Sequence, residues 1–192
     1  PLLTAATGMD AISHCIECFT SSMDNPVAAA IAIDGLERAI IALPRAVADG
    51  HDHAARREMM VAAMEGALAF QKGLGAVHAL SHPLGGYRDL KLHHGMLNAI
   101  MLPPVLRFNA PACAETYPKL RRAIGLAPDA DLAAFFDHFT ASLGLPTKLS
   151  ALGVPRDILP EVAKAATLDH THGTNARKAT EADYLAMLEE VW

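Results

Sequence analysis

Aromatic residues are scarce in this chain, 5% of its 192 residues, and cysteines number only three. So few thiols, and an odd count of them, give no disulfide framework. Cys15 and Cys18 fall about one helical turn apart in an apolar stretch, where reduced thiols in a core are expected. Positive charge is also short, with 16 Lys and Arg against 21 Asp and Glu and a net charge of −5. No basic stripe can neutralise phosphates along a strand, which excludes nucleic acid as a partner. Long apolar runs are missing too. The longest candidate, Met59 to Phe70, is broken by Glu65 before it reaches the roughly 18 residues a membrane span needs, so a soluble, cytoplasmic protein without a membrane partner is expected. The chain opens at Pro1 with neither a Met nor a charged-then-apolar leader, and is expected to be a fragment of something longer. No G-x-G-x-x-G follows a strand, and no G-x-S-x-G elbow or Walker loop occurs. If a dinucleotide is used, most of its site lies elsewhere.

What is present is helix-forming. The chain is 52% hydrophobic, and Ala and Leu rather than Val, Ile and Thr fill most apolar positions, which predicts an all-α, multi-helix domain. Thr4 or Thr7 is expected to cap a first helix running to about Ser22, and Asn25-Pro26 to open a second that ends near Leu43. A helix over His53 to Phe70 follows, with a stripe of methionines at 59, 60 and 64 assigned to the core. Another runs from Ala76 to about Gly85, and a third from about His94 to Phe108, where Pro103 and Pro104 are expected to kink or interrupt it. Beyond Asn109, prolines punctuate shorter helices near 112–124, 129–143, 155–167 and 181–191, the last opened by Thr180 with Asp183 three residues on. The whole of 1–192 reads as one helical domain, and a division into subdomains of about 1–109 and 110–192 is left open.

Chemistry concentrates at two helical repeats. Asp10 and His14 are four apart, so both leave one face of the first helix about a turn from each other, and His78 and His82 repeat that spacing. His94 begins the element after the polar loop Tyr87 to Leu92. With ten histidines in the chain, chance alone supplies roughly half an HxxxH, so spacing by itself decides little. Context adds more: His78 and His82 lie among Leu74, Val77, Leu80 and Leu84, where imidazoles are partly desolvated and need partners. On the residues alone two readings stay open, a metal site or core histidines satisfied by hydrogen bonds. If a metal is held, mixed imidazole and carboxylate donors suit Fe(II), Zn, Mn or Ni rather than Ca or Mg.

The segments Leu3 to Phe19 (LTAATGMDAISHCIECF) and Gly73 to Asn109, with the tail near Thr174 (GTNARKAT), resemble the signature regions of the iron-containing (group III) alcohol dehydrogenases, over nearly the whole chain. The resemblance implies the helical, metal-binding domain of the dehydroquinate synthase-like type, without the N-terminal nucleotide-binding domain. It places the four metal ligands on Asp10, His14, His78 and His94, the last chosen over His93 because Gly95 follows it, and a further active-site histidine on His82. His170 and His172, in the stretch Asp169 to His172, are placed at the border of the substrate pocket. The activity implied is interconversion of an alcohol with an aldehyde or ketone, using Fe(II) or zinc and NAD or NADP, in a homodimer or higher homo-oligomer. Two alternatives stand beside it: a metal-free enzyme like the maleylacetate reductases, and a helical interaction domain with no metal.

Overall fold

A computed structural model describes residues 1–192, and every regular element in it is helical. The first three helices, α1 (Leu2–Thr20), α2 (Pro26–Ala48) and α3 (His53–Leu68), pack on one another. A 3-10 turn, Ala69–Lys72, leads to α4 (Ala76–Gly85), and α5 (His94–Asn109) follows after a short polar loop. Both lie at the centre, α5 against α1 and α4. The remaining helices are α6 (Tyr117–Ala123), α7 (Leu132–Ser142), α8 (Leu159–Ala166) and α9 (Glu181–Glu190). Of these α7 covers α5, while α8 joins α4 to α9. One contiguous core of 48 buried residues runs from Ala5 to Val191, so residues on both sides of position 109 share it. No helix is long and apolar enough to cross a membrane.

Local chemistry explains several boundaries. Asn25 accepts from Ala28 N and Pro26 takes the first turn of α2, while Thr180 and Asp183 form a reciprocal capping box on α9. Neither Thr4 nor Thr7 caps α1, which starts at Leu2. The Thr7 hydroxyl instead donates to Leu3 O at 2.9 Å within the helix. Pro44 does not end α2, and Pro103 and Pro104 do not break α5. An interior proline costs about 3 kcal/mol, but every residue from Leu97 to Leu106 is buried, and each large apolar side chain returns roughly 1.5–3 kcal/mol. Burial outweighs local propensity along this helix.

The methionine stripe of α3 departs from expectation. Met60 is 75% and Met64 57% exposed, and only Met59 packs against the core. The buried face of α3 is Ala55, Ala62 and Gly66. Small side chains are needed there because three helices crowd together: a Cβ on Gly66 would stand 3.1 Å from His14 Cβ.

Candidate metal centre

Three helices bring the expected residues together. Asp10 and His14 leave one face of α1, His78 and His82 one face of α4, and His94 is the first residue of α5. From Asp10 Oδ1 the distances are 3.6 Å to His14 Nε2, 3.8 Å to His78 Nε2 and 3.5 Å to His94 Nε2. The four donor atoms lie within 4.8 Å of one another. Gly95 makes this approach possible, because a Cβ there would collide with the Ala6 carbonyl of α1. The adjacent His93 stays out of the cluster, its Nδ1 buried without a partner.

Two residues not singled out by sequence reasoning complete the arrangement. Glu17 is 4% exposed and faces His78. Its Oε2 lies 2.5 Å from His78 Nδ1 and its Oε1 accepts from Val77 N at 2.7 Å. One carboxylate therefore caps the N-terminus of α4 and turns Nε2 of His78 inward, the relation in which a carboxylate fixes the tautomer of a metal-binding imidazole. Asn98, one turn after His94, aims its Nδ2 at three acceptors: Asp10 Oδ1 at 2.6 Å, His94 Nε2 at 3.0 Å and His78 Nε2 at 3.1 Å. An amide has two protons for three lone pairs, and Asn98 Oδ1 is itself buried without a partner. Acceptors in excess of donors, all turned to one point, are what a divalent cation satisfies. The residues fit a metal.

Charge is distributed unevenly over the cluster. Burial pushes the Asp10 carboxyl up, but the facing imidazoles of His78, His14 and His94 and the amide of Asn98 outweigh it and hold the group near 2. His14 is brought down to about 4, by burial against the attraction of Asp10. His78 is opposed by burial too, yet the Asp10 and Glu17 carboxylates that face its two nitrogens raise it to about 9, so a proton and a cation compete for Nε2. Burial lowers His94.

His82 stands beside this group, its ring 5.6 Å from those of both His78 and His94. Its Nδ1 lies 2.9 Å from Asp169 Oδ2, and Asp169 is fixed in turn by Thr171 N at 2.8 Å and Thr171 Oγ1 at 2.6 Å. His170 is 80% exposed and stacks on His82 at 5.4 Å. It borders a shallow cleft with Phe70, Gly73, Leu74, Thr171 and Thr174. His172 turns the other way, to Tyr184 Oη at 2.8 Å. Behind the centre, Asn175 ties the tail to α4 and α5. Its Oδ1 accepts from Ala76 N and its Nδ2 donates to Asn109 Oδ1 at 2.9 Å.

The fold and this cluster together define an all-helical domain with an inward-facing Asp-His-His-His set. The model of the Fe-containing alcohol dehydrogenase family, C-terminal, matches residues 4–192, and the chain belongs to that family. It is 52% identical to a 4-hydroxybutyrate dehydrogenase of Cupriavidus necator over 98% of the chain and 51% of that protein. Identity to a 1,3-propanediol dehydrogenase of Citrobacter freundii is 35%, over 99% of the chain and 51% of the relative. The crystal structure of a 1,3-propanediol oxidoreductase superposes with a TM-score of 0.92 at 34% identity, covering 98% of this chain and 51% of that one. The chain thus spans about half the length of the relatives it matches.

Proposed function

We infer that this chain supplies the metal centre and part of the substrate pocket of an NAD(P)-linked oxidoreductase, which interconverts an alcohol with an aldehyde or ketone by hydride transfer. The convergence of Asp10, His14, His78 and His94 within 4.8 Å carries the reading. Fe(II) or zinc suits these donors, and when bound it supplies Lewis acidity toward an alcohol or carbonyl oxygen. The other tasks fall to side chains. Asp10 stays anionic, Glu17 holds His78 with Nε2 inward, and Phe70 lies edge-on against His14 at 4.6 Å. To His82, oriented by Asp169, we assign uptake of the hydroxyl proton in oxidation and its return in reduction. NAD or NADP is proposed on family membership.

Identity of 52% to a 4-hydroxybutyrate dehydrogenase, against 35% to a propanediol enzyme, favours an ω-hydroxy acid as the first substrate to test. A cytoplasmic homo-oligomer belongs to the same proposal. Exposed Leu3, Met60, Met64 and Leu68 suit burial against further protein, a second copy or the half of the relatives that this chain does not span.

The test is elemental analysis of the chain and of its Asp10→Ala/His78→Ala variant after anaerobic loading with Fe(II), or with zinc. Near one Fe(II) per chain, lost in the variant, is expected. A folded wild-type chain that retains no Fe(II) or zinc overturns the assignment.

A further inference from the structure

The imidazoles continue outward from the centre. His82 stacks on His94 and on His170 at interplanar angles of 12°, and the Asp169 carboxylate reaches both outer rings. Its Oδ2 is 2.9 Å from His82 Nδ1 and its Oδ1 is 3.6 Å from His170 Nδ1. One donor atom from each of His82, Asp169 and His170 lies within 4.8 Å of the other two. We propose that these three residues form a second divalent-cation site, suited to zinc, at the rim of the Asp10 cluster.

Two imidazoles and one carboxylate are a common zinc donor set, with a fourth position left to water. Ligands about 2.0–2.1 Å from a tetrahedral ion stand roughly 3.3 Å from one another; Asp169 Oδ2 is 2.9 Å from His82 Nδ1, near that edge, and the 3.6 Å to His170 Nδ1 is measured from the other oxygen, Oδ1. Bringing His170 onto the same ion requires movement of its ring, which is 80% exposed. The other two donors are held. Asp169 is 12% exposed and fixed by the amide and hydroxyl of Thr171, and His82 is carried by α4. No lysine or arginine pairs with this carboxylate; its ionisable neighbours are the two histidines. A cation bound here displaces the proton shared between His82 Nδ1 and Asp169. With three protein donors against four at the Asp10 cluster this is the weaker site and fills second, and repulsion from the first ion weakens it further, by about tenfold or more.

The consequence for activity rests on the function proposed above: zinc beyond one ion per chain engages His82 and inhibits. The binding itself does not depend on that reading. It is tested by titrating the metal-free chain with zinc chloride, by calorimetry and equilibrium dialysis, alongside His170→Ala and Asp10→Ala/His78→Ala. Two ions are expected on the wild type, with the weaker absent from the folded His170→Ala chain and the stronger absent from the double variant. One ion on the wild type, or two on His170→Ala, overturns the second site. A double variant that binds as many ions as the wild type refutes the Asp10 centre instead.

Discussion

Glu17→Gln separates metal tuning from folding more cleanly than any ligand substitution. The glutamine keeps the shape of the side chain, and its carbonyl can still accept from Val77 N at the start of α4. What it loses is the charge opposite His78 Nδ1, now 2.5 Å from Oε2. Its NH2 would donate where the carboxylate accepts, so Nδ1 becomes the acceptor and the imidazole proton moves to Nε2, the nitrogen that faces Asp10. A protonated Nε2 cannot ligate. Loss of such a supporting carboxylate typically weakens metal affinity 10–100-fold, or about 1.4–2.7 kcal/mol. Competition against a chromophoric chelator gives the affinity, and thermal unfolding in excess EDTA gives the stability of the same chain without metal. Affinity within about twofold of wild type, in a variant whose circular dichroism is unchanged, would refute the argument that Glu17 sets the tautomer of His78.

Other perturbations follow from the same contacts. In Gly95→Ala the new methyl meets the Ala6 carbonyl where α5 crosses α1; overpacking of this kind costs about 1–3 kcal/mol, read by urea denaturation, and metal content should fall with it. Lys72 donates to Phe19 O at 3.2 Å and Ser21 O at 2.8 Å, at the C-terminal end of α1, so Lys72→Met leaves two buried acceptors unmet and should cost about 1–3 kcal/mol. His78 is held near 9, above the roughly 6.5 of an unfolded histidine. Its protonation therefore stabilises the metal-free fold fully below pH 6.5 or so, and that contribution is lost as pH rises through about 9. Melting temperatures in EDTA should fall over this window, and a His78→Gln chain should show a flatter profile there.

The sequence already displays the residues that share a helix face. Asp10 with His14, and His78 with His82, are visible because a spacing of four is one turn, and Asn25-Pro26 and Thr180 with Asp183 announce caps in the same local terms. Glu17 and Asn98 carry a signal of the same kind that can be overlooked. Glu17 is three residues beyond His14 among Cys15, Ile16, Cys18 and Phe19, and Asn98 is four beyond His94 in a helix otherwise apolar from Leu97 to Leu106. A lone polar residue in the buried register of a ligand helix is evidence of a partner across the core. What is not legible depends on neighbours distant in sequence. Asp169 meets His82 across 87 positions, and nothing in either segment indicates the pairing. Continuity of α5 through Pro103 and Pro104 is set by burial against α1, α4 and α7.

The α3 methionines show the limit of periodicity most directly. Helical spacing reveals that a stripe exists, but not which of two faces turns inward. Here the inward face is built of Ala55, Ala62 and Gly66 because α1 must come close enough for His14 to reach the cluster, and Gly35 serves the same end on α2, where a Cβ would stand 2.9 Å from Cys15 Sγ. Large side chains at the crossing would separate the helices and withdraw His14 from Asp10. The bulky residues are therefore displaced outward, leaving Met60, Met64 and Leu68 exposed in this chain. The requirement to gather four donors on three helices thus fixes side-chain size at positions that are not themselves ligands, and it reverses the face that hydrophobicity alone would have buried.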